Sequence, residues 1–336
     1  MDDSLEVARR QANFARYEPG QRSAHYESFF QRANHPTRPL AFWIRYTVFS
    51  PAGQPERAIG ELWAVVFNGE TNRHVAVKTE VPIAHCRFSR REFAATIADA
   101  RLEPGRLAGS AASTGHAIAW DLRFRGDQPP LFLLPLRMYR TALPRAKSLV
   151  GLPLAVYDGV LTVDDEAITV DGWVGSQNHN WGSRHTDHYA WGQVAGFDSY
   201  ADSFLEVATA RLKIGPLWTP PMTPLVLRHR GQEIALNRLA QTLRTKANVR
   251  YFTWTFGGEN DRLRIEGRIE APRAAFVGLR YYNPPGGTKQ CLNSKLAACE
   301  VRLLPKHGEA EVLSTAHRAA FEILTDDTTS GVAISA

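Results

Sequence analysis

Leu40-Ala41-Phe42-Trp43-Ile44-Arg45-Tyr46-Thr47-Val48-Phe49 leads into Ser50-Pro51-Ala52-Gly53, then Ile59-Gly60-Glu61-Leu62-Trp63-Ala64-Val65-Val66-Phe67 and Asn68-Gly69. This stretch decides the fold class. Its apolar residues are mostly aromatic or β-branched, types that suit a pleated sheet surface. Ser50 to Gly53 reads as a turn, and Asn68-Gly69 is a strong hairpin signal. A third strand is expected from His74 to Glu80.

The pattern continues outward. Strands are expected at 115–124, 131–138, 152–157, 160–163, 167–170, 189–197 and 204–214, with Tyr157-Asp158-Gly159 as a turn. Others follow at 225–229, 250–256, 262–269, 292–304 and 311–321. Residues 4–16 are expected to form one short helix capped by Ser4. Tyr26 to Asn34 is expected to form another, ended by His35-Pro36. Leu217-Trp218-Thr219-Pro220-Pro221-Met222-Thr223-Pro224 reads as a stiff connecting loop. Many short strands with few helices argue an all-β protein of antiparallel barrels or sandwiches. At 336 residues, two units of similar size are expected, over 1–180 and 181–336.

The charge of +6 is spread without a run of five or six basic residues, so no nucleic-acid partner is expected. A mild attraction to anionic membranes, a peripheral contact, is compatible with it. Cys86, Cys291 and Cys299 are too few and too irregular for a disulfide framework or zinc knuckle. Their odd number fits a reducing cytoplasm. Met1 to Glu6 lacks a signal-peptide core, and no apolar run reaches membrane-spanning length. A cytoplasmic protein is expected.

The segment from Gly172 to Gln193 gathers His179, His185 and His188 with Trp173, Trp181 and Trp191. Gln177, Asn178, Asn180, Arg184 and Asp187 stand among them. Buried Asn, His and Asp each need a hydrogen-bond partner. Three readings compete. A metal site is disfavoured, because neither helix nor strand spacing gathers all three histidines. A general-acid site would use His179, His185, His188 or Asp187 as donor, with Gln177, Asn178 and Asn180 orienting a polar group. Tryptophan walls would raise a carboxyl pKa and stabilise a cationic intermediate. A purely structural reading makes the tryptophans core plugs and the polar groups backbone partners. Glu206 alternates oddly between Leu205 and Val207, facing either solvent or the pocket. His35 closes a turn or reaches the pocket, and Tyr281 to Gly287 reads as a loop over a barrel mouth. No Walker A loop, dinucleotide fingerprint or GxSxG elbow is present.

Short motifs carry a resemblance. Tyr26-Glu27-Ser28-Phe29-Phe30, Arg32-Ala33-Asn34-His35-Pro36, Ala41 to Tyr46 and Gly60-Glu61-Leu62-Trp63 form one group. Asn178-His179-Asn180-Trp181-Gly182 and Cys291-Leu292-Asn293-Ser294-Lys295 add two more. Together they resemble the lipocalin-like superfamily of bacterial carotenoid 1,2-hydratase (hydroxyneurosporene synthase), plant tocopherol cyclase and fungal lipocalin-like Diels–Alderases. The resemblance implies tandem calycin-like, lipocalin-like barrels with a cavity within or between them. It implies long or polycyclic apolar substrates, isoprenoid-like or polyketide-like, and neither metal nor redox cofactor. The expected activity is that of a cofactor-independent hydratase or cyclase, working by proton donation or by holding a reactive conformer. A non-catalytic carrier of a hydrophobic molecule is the alternative. His179, Asn180, Trp181, His185 and Asp187 are expected to share one cavity, with Asp187 and His179 as the favoured donors. Trp43, Trp63, Tyr189 and Trp191 are expected walls.

Overall fold

The computed structural model describes residues 3–113 and 115–336. Helix α1 (Asp3–Arg10) precedes the first sheet. That sheet contains β1 (His25–Asn34), β2 (Leu40–Ser50), β3 (Ile59–Asn68), β4 (Val75–Pro82), β5 (Cys86–Phe88) and β6 (Ala95–Ile97). It continues with β7 (Ala100–Glu103), β8 (Arg106–Ser113), β9 (His116–Arg125), β10 (Leu131–Phe132), β11 (Ala146–Val163) and β12 (Glu166–Gly182). The strand order is β4-β3-β2-β1-β12-β11-β9-β8-β7-β6-β5, with β10 on β11. The sheet curls until β4 meets β8. There Lys78 N donates to Ser113 Oγ and Ala112 N to Thr79 Oγ1, each at 2.9 Å. Hydroxyls thus bridge the seam of a nearly closed barrel.

The second sheet starts with β13 (His188–Ala195) and β14 (Phe204–Arg211). A separate hairpin, β15 (Lys213–Ile214) and β16 (Leu217–Trp218), follows. Next come β17 (Leu225–His229), β18 (Gln232–Leu236), helix α2 (Leu239–Arg244), β19 (Lys246–Arg250), β20 (Thr253–Glu259) and β21 (Leu263–Glu270). β22 (Val277–Tyr282), β23 (Thr288–Pro305) and β24 (Glu311–Thr325) complete it. The order is β18-β17-β14-β13-β24-β23-β21-β20-β19, with β22 on β23. Helix α2 links the two edge strands. No described helix is long and apolar enough to cross a membrane.

Strand alternation sorts the side chains into three layers. On β2, Phe42, Ile44, Tyr46 and Val48 enter the first core with Phe29, Leu62, Trp120 and Trp173. The other face of β1–β3 carries Phe30, Ala41, Trp43, Trp63, Val65 and Phe67. It packs on Trp191, Leu279, Tyr281, Cys291 and Leu324 of the second sheet. The second sheet wraps its own core around Trp254, Phe256, Leu292 and Phe321. Strand β1 is therefore buried along its whole length on both faces.

Double burial explains where local reading fails. Tyr26 to Asn34 is strand β1, not a helix. Its two faces are each part apolar and part polar, so no clean alternation marks it. The N-terminal helix stops at Arg10 instead of residue 16. Beyond it the chain serves the barrel: Ala12 O accepts from His179 Nδ1 at 2.7 Å, and the Asn13 side chain donates from Nδ2 to Gln177 Oε1 at 2.7 Å. The expected turn at Tyr157-Asp158-Gly159 is a bulge within β11, and the expected short hairpin is the tip of the long β11–β12 pair.

One glycine is fixed by close approach. A Cβ on Gly175 would lie 1.7 Å from Arg32 O and 2.6 Å from Ala33 Cα. Both obstacles are backbone of the paired strand β1, which cannot swing aside. Gly175→Ala is expected to cost about 3 kcal/mol or more, measured by urea unfolding.

Candidate functional site

Strand β12 divides the sequence cluster between two places. Gln177, His179 and Trp181 lie on one face; Ser176, Asn178 and Asn180 lie on the other. The first group seals the barrel end under the N-terminal segment. His179 Nε2 lies 2.7 Å from Glu27 Oε1, and its ring stacks on Phe29. Glu27 also accepts from Arg16 N and Tyr17 N at 2.7 Å each and faces His25 Nε2 at 3.1 Å. Burial alone would raise the Glu27 pKa, but hydrogen bonds from His179 and His25 pull it down to about 2. Both His179 nitrogens face acceptors, so the ring is locked as a strut. Trp181 packs with Ala12 and Leu149 beneath Arg16, whose guanidinium carbon is 5.2 Å from the ring centre.

Asp187 lies in the turn before β13. One carboxylate oxygen pairs with Arg184, and the other accepts from Lys213 N at 2.9 Å. His185 stacks on Tyr26 at 3.9 Å and donates from Nε2 to Tyr282 O at 3.1 Å. Burial, reinforced by Arg45, lowers its pKa to about 3, leaving a neutral ring that is a poor acid. His188 sits apart against Trp218, 5.0 Å between ring centres. The three histidines do not converge, and no metal-holding group occurs among the described residues. His179, His185 and Asp187 thus occupy three separate settings. The expectation that they share one cavity is corrected: strand parity and the turn before β13 separate them.

The second group opens onto the layer between the sheets. Trp43, Trp63, Tyr189, Trp191 and Asn178 meet there, with Asn180 on the same strand face as Asn178. At the centre lies Glu206. Its Oε1 accepts from Trp191 Nε1, and its Oε2 accepts from Gln193 Nε2, both at 2.8 Å. Gln193 Nε2 also donates to Asn178 Oδ1 at 2.8 Å, while its Oε1 accepts from Ser176 Oγ at 2.6 Å and Arg32 Nη1 at 3.4 Å. Burial raises the Glu206 pKa from 4.5 to about 7, against the pull of Trp191 and Gln193. This carboxyl keeps a substantial protonated fraction near neutrality. Solvent exposure, one of its two sequence alternatives, is ruled out by its 2% accessibility.

Beside it, Lys295 Nζ donates to Glu322 Oε1 at 2.7 Å. Asn293 Nδ2 reaches the same oxygen at 3.1 Å, and the Tyr189 hydroxyl lies 3.5 Å from Glu322 Oε2. The Lys295 ammonium is 5.4 Å from the Trp191 ring centre and 5.8 Å from that of Trp43. Arg45 lies over Tyr281 at 4.5 Å and donates to Ser28 Oγ at 2.8 Å. The Trp43 indole nitrogen is buried without a hydrogen-bond partner. Arg32, Arg45, Gln193, Lys295 and Glu322 were not singled out from sequence. Arg32, Arg45 and Lys295 stand inside the motifs that carry the resemblance. A charge within an apolar strand was the signal that could have found them. Glu322, between Phe321 and Ile323, carried the same signal.

Trp191→Phe tests the control of Glu206. It keeps most of the aromatic area and removes one donor that favours the carboxylate. The Glu206 pKa is expected to rise above 7, seen as an upward shift of its carboxyl band in a pH-titrated infrared spectrum.

Together these layers define a tandem lipocalin-like architecture with a polar, aromatic-walled interface. Two crystal structures share the fold. One is a Nitrosomonas europaea protein assigned as AttH, at TM-score 0.55 and 13% identity, covering 93% of this chain and 99% of that one. The other is kievitone hydratase from Nectria haematococca, at TM-score 0.57 and 10% identity, covering 92% and 91%. These likenesses show the fold. No protein-family model matches the sequence. An uncharacterized Mycobacterium tuberculosis protein, found in two strains, is 30% identical over 224 residues. That match spans 66% of this chain and 64% of the relative.

Proposed function

We propose that this protein is a cofactor-independent hydratase or cyclase acting on an apolar, isoprenoid-like or polyketide-like molecule, with Glu206 as general acid. The carrying observation is a buried carboxyl raised to about 7 among aromatic walls. A neutral Glu206 would transfer its proton to an alkene carbon, leaving a carbocation. Indole and phenol faces of Trp43, Trp191, Tyr189 and Tyr281 would stabilise that cation. Water or an internal nucleophile would then add, and its proton would return to the Glu206 carboxylate. Glu322 offsets the charge of Lys295 nearby. Burying Arg32, Arg45, Lys295 and Glu322 costs more than an apolar layer of similar volume, which favours a working role over a merely adhesive one. The hydratase name of one fold neighbour agrees with this chemistry.

A carrier reading has one observation in its favour, a 610 Å³ cleft at the open end of the second sheet. Mass spectrometry of apolar cell extracts incubated with and without the purified protein separates the two. The enzyme reading expects a product heavier by one water, or a cyclised isomer. Molecules retained by the protein but unchanged would support the carrier.

A further inference from the structure

The net charge conceals a strong asymmetry. Residues 211–250 hold eight Lys or Arg and a single acid, Glu233, so they carry more net positive charge than the whole chain. The residues are scattered rather than consecutive, which is why no basic run marks them. Glu233 is paired with Arg228, and Arg230 with Glu311. The other six, Arg211, Lys213, Arg238, Arg244, Lys246 and Arg250, are exposed. None of these six has an ion-pair partner recorded among the described residues.

The same region concentrates exposed apolar side chains. Of eight large ones among the described residues, five lie here: Leu217 (71% exposed), Trp218, Leu239, Leu243 and Val249. Leu217 and Trp218 form β16, and Trp218 is flanked by Arg211 at 5.4 Å and Lys213 at 6.0 Å. Leu239 and Leu243 are one helical turn apart on α2 and so share a face. Helix α2 is tied to the Pro-rich segment by Thr223 N, which donates to Thr242 O at 3.1 Å. It leads directly into β19, which carries Val249. Between β16 and β19 opens the 610 Å³ cleft, whose lining includes His188, Thr209, Trp218, Tyr251 and Ile323. That volume suits a small apolar ligand.

We propose that this rim docks on a membrane surface bearing anionic lipids, with the cleft facing the bilayer. Cations would meet the lipid phosphates while Leu217, Trp218 and the α2 leucines enter the headgroup region, the arrangement of an interfacial anchor. Charge complementarity alone would also fit a nucleic acid. The exposed leucines and the tryptophan favour lipid, because a phosphate backbone gives them nothing to enter. The inference does not depend on Glu206 or on any reaction.

Co-sedimentation with large unilamellar vesicles tests it. Wild-type protein is expected to sediment with phosphatidylcholine vesicles containing about one third phosphatidylglycerol, and to be released by high salt. Removing Arg244 and Lys246 together as alanines should weaken binding about 30-fold, about fivefold for each cation. Leu217→Ser with Trp218→Ser should weaken it about tenfold or more by removing the apolar insertion. All four side chains are exposed, so the variants should melt like the wild type. Absence of binding to anionic vesicles at low salt would overturn the proposal. So would binding that both double variants leave unchanged. A DNA duplex bound more tightly than the vesicles, and unaffected by the Leu217 and Trp218 changes, would overturn it in favour of nucleic acid.

Discussion

Glu206→Gln is expected to lower turnover of the apolar substrate by about 10²–10⁴-fold, the span typical of a lost general acid. The amide keeps the shape and still accepts from Trp191 through its oxygen. It presents a second donor to Gln193 Nε2, so one hydrogen bond is lost unless Gln193 turns over. A turned Gln193 would in turn deprive Ser176 Oγ and Arg32 Nη1 of their shared acceptor. A stability loss of about 1–2 kcal/mol is expected at acid pH. The pH dependence separates this from a packing defect. Glu206 holds its proton more tightly folded than unfolded, at about 7 against 4.5. Its contribution to stability is therefore complete below 4.5 and is lost as pH rises through about 7. Wild type should weaken over that window in urea titrations, and Glu206→Gln should lack that limb. Wild-type activity should fall on the alkaline side through the same ionisation. A Glu206→Gln enzyme with wild-type turnover would remove Glu206 from the mechanism.

Glu27→Ala is expected to be the most damaging single change to stability, at about 3–5 kcal/mol. Glu27 is wholly buried and takes hydrogen bonds from two backbone amides, with His25 and His179 on its remaining sides. Alanine would leave those groups without an acceptor and His179 beside an empty space. The fastening of residues 12–17 over the barrel end should fail with it. The pH sign is opposite to that of Glu206. A carboxyl held at about 2 contributes its stability above 4.5 and loses it as pH falls toward 2. Acid unfolding of the wild type should therefore show a steep limb that the variant lacks. Urea unfolding across pH measures both effects. Wild-type stability in Glu27→Ala at neutral pH would contradict the structural role.

The fold class was legible because β2 and β3 are aromatic-rich and end in recognisable turns. Strand β1 was not, since burial on both faces erases the alternation that marks a strand. The layer between the sheets was legible in part. Trp43, Trp63, Tyr189, Trp191 and Asn178 do meet in one layer. His179 and Asn178 are neighbours in sequence, yet strand parity sends them to opposite faces. Asp187 looked like an acid among tryptophans, but its partners Arg184 and Lys213 are set by the turn before β13. Glu206 carried the right signal, a charge between Leu205 and Val207. Its meaning depended on what covers that face of β14, where Trp191 and Gln193 reach its carboxylate and Leu131, Leu133 and Val150, distant in sequence, pack on neighbouring Phe204.

Proton transfer from Glu206 to carbon is the step that defines the proposed reaction. The most direct test is incubation of purified protein with an apolar cell extract in deuterated water, followed by mass spectrometry of the product. The carboxyl proton exchanges with solvent, so wild-type protein should place one deuterium on a carbon of the product, and Glu206→Gln should form almost none of it. A product formed without carbon-bound deuterium, or formed with it equally fast by Glu206→Gln, would contradict the account.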